Sequence, residues 1–462
     1  MKRIILFSAS CLLVSAFIIS FIPQSCLLDY WGTKKLYQPA DTGCIPAPVG
    51  YKAIFINYAG RHGARHLTNL NDLLLIQQTL NRAVDLAGLT SDGVKLKEMV
   101  NTLLLIEKKE DCGLLTETGK SELWGIGNRM KTHYPWLFAD SVSCRVVTTK
   151  EKRTKQSAQA FMSGVNRPMQ QNATTNLIDN DSVHLRFYEV SPGYRKFKKN
   201  GSWIVEMNKL KHDIRAEEEK HKIICKFFTR DYANQLLHPV IDKTVMGITD
   251  TVGDFIDAIF NVATLANAMP TEIKIAGYTP AKVNIRSLFT CNEFAWLEFV
   301  NSAQDYLLKG PGTDVSGIQV RNAVPLLVDF INSTDEAIKS SRPAIVVRFA
   351  HAETLSPFAA LASIEGAATP TVDIFKYAQV WNVSSIIGYS VNVQWILYKD
   401  SDTGNTPLIQ ILYNEKPVHI PVATNQYPYY KWADVRAFYM NKLSKMNVSL
   451  NCDMLEYLKD LK

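Results

Sequence analysis

Apolar residues recur along this chain in two rhythms, and each predicts a different element. Tyr51 to Tyr58 (YKAIFINY) is a short, mostly apolar run and predicts a buried strand. Cys144 to Thr149 (CRVVTT) and Ala344 to Phe349 (AIVVRF) are β-branched runs that predict two more. Leu and Ile at helical spacing fill Leu70 to Leu86. Leu114 to Tyr134 reads as a second helix, with Thr116 as its cap and Glu117, Glu122 and Arg129 exposed. Lys155 to Gly164 predicts a helix with small residues along one side. Val183 to Val190 alternates and reads as a strand. Val391 to Tyr398 and Leu408 to Tyr413 flank the turn-rich stretch Asp400 to Pro407, the pattern of a hairpin.

Between these strand signals the pattern changes. Tyr194 to Lys222 is strongly charged, with nine Lys/Arg against five Asp/Glu. Helical spacing then dominates at Lys226 to Leu237, Thr251 to Ala268 and Asn292 to Leu308. The expected architecture is an α/β sheet domain interrupted by a helical one. Its core would comprise residues 26–193 and 313–462, with residues 194–312 as the insertion.

Composition narrows the class. The 462 residues are 47% hydrophobic and 21% charged, which excludes disorder, collagen and coiled coil as the dominant state. A formal charge of +7 is small for this length and makes no case for nucleic-acid binding. Met1-Lys2-Arg3 followed by the uncharged run Ile4 to Ile22 reads as an export signal over residues 1–25. The expected location is therefore secreted, periplasmic or associated with the cell envelope. Membrane attachment through that segment, or through a lipidated Cys26, stays open. Six cysteines lie beyond it (Cys44, Cys112, Cys144, Cys225, Cys291 and Cys452). None forms a C-x-x-C pair, so a zinc or redox motif is not indicated. Up to three disulfides could form among them. Six N-x-S/T sites begin at Asn172, Asn180, Asn200, Asn332, Asn382 and Asn447.

The sharpest chemical signal is Arg61-His62-Gly63-Ala64-Arg65, directly after one predicted strand and before a predicted helix. In an open α/β sheet that position is a strand's carboxyl end, where ligand sites form. Arginine suits bidentate phosphate contact, and its charge keeps a neighbouring imidazole neutral and nucleophilic. Arg348-Phe349-Ala350-His351-Ala352-Glu353 follows a second strand, and Thr148 to Thr154, with Arg153, follows a third. Other motifs fall away. Gly113 to Ser121 has five residues between its glycines, one too many for a phosphate loop, and no strand before it. His62 and His66 have metal-like spacing but no third ligand nearby. The aromatic cluster Tyr427 to Trp432 suits packing, and no G-x-S-x-G is present.

Together these residues resemble the histidine acid phosphatase branch of the histidine phosphatase superfamily, and within it the multiple inositol polyphosphate phosphatases, which act as phytases. The R-H-G-x-R motif matches at Arg61, His62, Gly63 and Arg65. His351-Ala352-Glu353 matches that subgroup's His-Ala-Glu, where most of the branch carries His-Asp. Tyr30 to Lys34, Leu115-Thr116-x-x-Gly119, Lys152-Arg153 with Ser157-Ala158-x-x-Phe161, Lys309-Gly310-x-Gly312, Thr354 to Pro357 and Asn414-Glu415-x-Pro417 are similar too. The likeness covers nearly all of the chain after the export segment and is weakest between Tyr194 and Pro280. Leu67 departs from it, where the family often has Pro.

The resemblance implies a mixed, mainly parallel sheet flanked by helices, with an inserted α-helical domain. It implies that His62 is the nucleophile and forms a phosphohistidine. Arg61, Arg65, Arg153 and His351 would bind the transferring phosphoryl group, and Glu353 would protonate the leaving alcohol. No metal or cofactor is implied, since the arginines supply the charge. Lys150 and Lys152, beside Arg153, are candidates for the outer phosphates of an inositol polyphosphate. The alternatives are a broad acid phosphatase for sugar phosphates or nucleotides, and a non-catalytic binding protein on the same fold.

Overall fold

The computed structural model describes residues 30–40, 45–237, 251–340, 342–400 and 406–462. The export segment, Cys26, Cys44 and residues 401–405 of the hairpin loop lie outside them. Eight strands form one sheet: β1 (Tyr51–Arg61), β2 (Ser143–Thr148), β3 (Thr175–Ile178), β4 (Ala344–Ala350), β5 (Asn392–Asp400), β6 (Leu408–Tyr413), β7 (Lys416–Pro417) and β8 (Tyr429–Lys431). Their order is β3-β2-β4-β1-β5-β6-β7, with β8 also paired to β6. The first four are mutually parallel. From β5 onward the pairing is antiparallel, and β5 with β6 forms the expected hairpin. The mixed α/β fold therefore stands as the sequence indicates.

Both faces of the sheet are covered, so its central strands are nearly continuous apolar runs. Phe55, Ala59, Val147 and Val346 pack on one side, with Phe330, Leu355, Phe358 and Tyr439. Tyr58, Val146, Val347 and Phe349 pack on the other, against Leu123, Ile126, Phe161 and Met162. A separate core joins helices Asn71–Asp85, Ser91–Ile106, Ile214–Phe227 and Thr251–Ala263. Among the described residues between β3 and β4, every regular element is helical.

Arg348 is the exception to the apolar rule in β4. It is 1% exposed. Its Nε donates to Asp329 Oδ2 at 2.7 Å, and its Nη1 donates to Asn57 Oδ1 at 2.5 Å. Asp329 comes from helix Val324–Ser340, so this pair ties the helix to the sheet. Arg348 thus faces the core, and the chain reaches the sheet's carboxyl end only at His351, three residues on.

One expectation is corrected. Val183 to Val190 is not a strand; it forms two short helices, Ser182–Leu185 and Phe187–Val190. Asp181 starts the first by accepting the His184 N–H at 3.0 Å, and a break at Arg186 lets Leu185 and Phe187 both reach the core. That break reproduces an alternating apolar pattern without extended backbone. Of the six cysteines, Cys112, Cys144, Cys225 and Cys452 are free thiols, which leaves room for one bridge of the three possible. Among the described residues no helix is long and apolar enough to cross a membrane.

Burial alone would raise the Asp329 carboxyl, but Arg348, then Arg145 and His184, bring it down to about 2. A carboxyl lowered on folding adds stability that is complete above its unfolded pKa, near 4, and is lost as the pH falls toward 2. Asp329→Asn leaves the Arg348 charge buried without its counter-charge and is expected to cost about 3 kcal/mol. Urea midpoints measured from pH 6 down to pH 2 should show that penalty shrinking as the pH falls.

Candidate active site

Strands β2, β4 and β1 are adjacent and parallel, so their carboxyl ends lie side by side. The register pairs Arg61 with Ala350 and Thr148 with Phe349. The next residue of each strand, His62, Thr149 and His351, therefore stands at one edge of the sheet. A cavity of about 380 Å³ opens there. It is lined by all six expected residues, Arg61, His62, Arg65, Arg153, His351 and Glu353, and by Lys34, Asn261, Asp305 and Lys309. The His62 and His351 rings are 5.7 Å apart.

His62 is held from both sides. Its N–H donates to Ala350 O at 3.0 Å, and its carbonyl accepts the Ser390 N–H at 3.2 Å. The next turn must be tight because helix Glu117–His133 starts against it. A Cβ on Gly119 would stand 2.0 Å from Ala64 O, and one on Gly63 would stand 2.4 Å from Gly119 O. Glycine at both positions lets the helix sit on the loop. Glu122, from that helix, accepts the Ala64 N–H at 3.0 Å, the Tyr37 N–H at 2.8 Å and the Ser390 hydroxyl at 2.8 Å. The sequence reading placed Glu122 on an exposed face; it instead braces the loop that carries His62.

Among the described residues the His62 ring has one hydrogen-bond partner. Nδ1 lies 2.9 Å from Gly63 O, which can only accept, so Nδ1 carries the proton. Nε2 then holds the free lone pair. Burial, and then Arg61, Arg153 and Arg65, keep the ring well below the ordinary histidine pKa and therefore neutral. Arg61 donates to the carbonyls of Thr33 and Ile387, and its guanidinium lies 4.8 Å from the centre of the Tyr389 ring. Burial pulls even this arginine down to about 10. Arg65 donates to His66 O at 2.7 Å, and Arg153 to Glu151 Oε2 at 3.1 Å.

His351 sits between two arginines. Its Nδ1 is 3.3 Å from Arg153 Nη2, while its Nε2 is 3.3 Å from Arg186 Nη1 and 3.0 Å from Thr149 Oγ1. Burial and then Arg153 lower this ring's pKa too, so it is neutral. A neutral imidazole accepts at one nitrogen only, whereas guanidinium groups only donate. Both arginines cannot be satisfied at once. An oxyanion between Arg153 and His351 resolves the conflict: Nδ1–H donates to it and Arg186 donates to Nε2. Arg186 is in turn held by Glu151 at 3.0 Å and by Glu189. Sequence reasoning missed Arg186 because it lies in the stretch taken for a strand.

Glu353 lies in the first turn of helix Ala352–Leu361. Its Oε1 is 3.0 Å from Lys309 Nζ, which also contacts Asp305 Oδ1 at 2.7 Å. Burial pushes this carboxyl up, but Lys309 and then His351 hold it well below the ordinary range, so it is ionised. Lys34 donates to Asn261 O at 2.9 Å and to Thr264 Oγ1 at 3.1 Å. Burial, and then Arg65, lower it to about 7.

Lys150 and Lys152 do not line the cavity. Lys150 is 58% exposed in its side chain and stands 3.7 Å from Glu189; Lys152 is exposed. Arg153 points inward from the start of helix Lys152–Gly164, and its neighbours follow other directions around that turn. In the charged 194–222 segment, Lys209, Lys220 and Lys222 pair with glutamates three residues before them. Among the described residues that line the cavity, the cations beyond the central arginines are Lys34 and Lys309. His66 turns to Glu107, 3.3 Å away, and Tyr429, Tyr430 and Trp432 are packed in the cores.

A cavity lined by three arginines and two histidines at the carboxyl ends of parallel strands fits an α/β protein that handles phosphorylated ligands. The chain belongs to the histidine phosphatase superfamily, branch 2, whose family model matches residues 61–414. Solved structures agree on the fold. A multiple inositol polyphosphate phosphatase from Bifidobacterium longum, in complex with inositol hexasulfate, superposes with a TM-score of 0.74 at 21% identity, covering 89% of this chain and 97% of that one. The same protein in complex with phosphate gives 0.74 at 22% identity over the same shares. The phytase from D. castellii gives 0.65 at 14% identity, covering 95% of this chain and 88% of that one. No curated protein matches the chain by sequence.

Glu122→Ala removes the acceptor of three hydrogen bonds under the His62 loop. It is expected to lower kcat on a simple phosphomonoester by about 100-fold with a small change in KM. Glu122→Gln keeps one acceptor oxygen and should recover part of the loss. Steady-state kinetics on folded variants check both.

Proposed function

We propose that the protein hydrolyses phosphomonoesters of multiply phosphorylated inositols, phytate among them, through a phosphohistidine. The observation that carries this is the neutral His62, with Nε2 free, in a cavity it shares with Arg61, Arg65, Arg153 and His351. His62 Nε2 attacks phosphorus as the bond to the alcohol oxygen breaks. Glu353, in its acid form, gives its proton to that oxygen. Water then attacks phosphorus, the P–N bond breaks, phosphate leaves, and the water's proton returns to Glu353. The three arginines meet the charge on the equatorial oxygens, the main requirement of phosphoryl transfer.

Lys34 and Lys309 favour a substrate with more than one phosphate, because both line the cavity beyond the central arginines. Lys34 gains its charge as the pH falls through about 7, so anion binding strengthens on acidification. The broader acid phosphatase reading uses the same centre but gives these two lysines nothing to bind.

Phosphate release from phytate and from a small monophosphate tests the proposal. His62→Ala is expected to lose at least about 10⁴-fold in kcat on both; near-normal turnover would end the nucleophile assignment. Glu353→Gln should slow alkyl phosphates far more than aryl phosphates, whose leaving groups need no proton. Equal losses on both would remove Glu353 from the proton-transfer role.

A further inference from the structure

Lys309 Nζ is wedged between two carboxylates, Asp305 at 2.7 Å and Glu353 at 3.0 Å. It closes the last turn of helix Cys291–Lys309 and lines the same cavity as His62. Against burial, Asp305 and then Glu353 hold it firmly charged. The arrangement conflicts with the task of Glu353: a carboxylate bonded to an ammonium has no proton to give. We propose that Lys309 is a positioning residue that keeps Glu353 ionised while the cavity is empty, and that a second phosphate of the substrate draws the ammonium away so that Glu353 takes up a proton. The inference rests on the reading that the substrate is an inositol polyphosphate.

The surroundings of Glu353 support the exchange. Around it stand Lys309 and Asp305 from the long helix, His351 just before it, Arg153 from helix Lys152–Gly164, Arg61 from β1, and Tyr188 and Tyr194. Arg61 and Arg153 are committed to the transferring phosphoryl group and both histidines are neutral, so Lys309 is the one movable cation among these groups. An ammonium has three N–H donors, and the two carboxylates use two. A phosphate or sulfate group of the ligand arriving beside it competes for the rest, backed by the summed negative charge of the ligand's other groups. Once Lys309 turns to that phosphate, Glu353 is left in a partly buried cavity beside added negative charge. Both effects favour the neutral acid. The proton comes from solvent, and no other bond changes.

A polyphosphate substrate thereby prepares its own acid catalyst, while an alkyl monophosphate leaves Lys309 on Glu353. The difference should appear in kcat, not only in binding. In the wild type, the alkaline limb of kcat should lie at least one pH unit higher for phytate than for glycerol 2-phosphate. Lys309→Met should bring the two limbs together by raising the one for glycerol 2-phosphate, with at least a fivefold gain in kcat for that ester at pH 6. Lys309→Arg, which keeps the charge, should leave the limbs apart. A glycerol 2-phosphate limb in Lys309→Met that stays at the wild-type position overturns the proposal.

A second measurement does not depend on that variant folding. Inositol hexasulfate stays fully ionised across this pH range, so any proton taken up on its binding goes to the protein. Calorimetry on the wild-type enzyme at pH 6, in two buffers of different ionisation enthalpy, should show about one proton taken up per molecule bound. Glu353→Gln should take up only the small remainder that Lys34, already mostly charged at pH 6, can add. Binding without proton uptake in the wild type overturns the role of Lys309 and leaves the substrate reading intact. A wild type that hydrolyses monophosphates but neither hydrolyses phytate nor binds the hexasulfate ends the substrate reading, and this inference with it.

Discussion

Positive charge gathered where little water reaches is costly, and the rest of this site depends on how that cost is met. Three guanidinium groups surround one imidazole. Bound phosphate would balance them; without it the fold must. Backbone carbonyls of Thr33 and Ile387 take the N–H groups of Arg61, His66 O takes those of Arg65, and Glu151 bridges Arg153 and Arg186. Burial, reinforced by the residual field, keeps both histidines neutral. One of them can then act as a nucleophile, and the other can donate a hydrogen bond without becoming a further cation. Preorganised charge of this kind costs no reorganisation at the moment of reaction.

Much of this was legible in the sequence, for a reason visible in the sheet. Strands β1, β2 and β4 are buried on both faces, so each is a short apolar run, and the chemistry follows each run at once. Arg61-His62, Thr149 to Arg153 and His351 to Glu353 could be found from that order alone. What decided their meeting, the β2-β4-β1 adjacency, is set by contacts between distant segments and has no local signature.

The misreadings share a cause. Glu122 sits on a helix whose polar face looked like a solvated one. It is polar because three donors from distant loops converge on it. Arg186 was hidden by apolar alternation that two short helical turns imitate. Lys150 and Lys152 were chosen for closeness in sequence to Arg153, but helical geometry sends neighbouring side chains in different directions. Lys34 and Lys309 reach the cavity from opposite parts of the chain, and only their placement shows that they belong to it. In each case the informative quantity was a partner far away in the sequence.

The position of β1 has a consequence for how the molecule is made. It is the first strand among the described residues, yet it lies inside the sheet with β4 on one side and β5 on the other. Neither neighbour exists until most of the chain has been synthesised. Until then β1 presents two unpaired edges and a strongly apolar surface, the condition that slows folding and invites aggregation. The nucleophile-bearing loop follows that strand and shares its delay. The pocket is thus among the last features the chain acquires, and a product truncated before residue 344 would carry His62 with no native strand beside it.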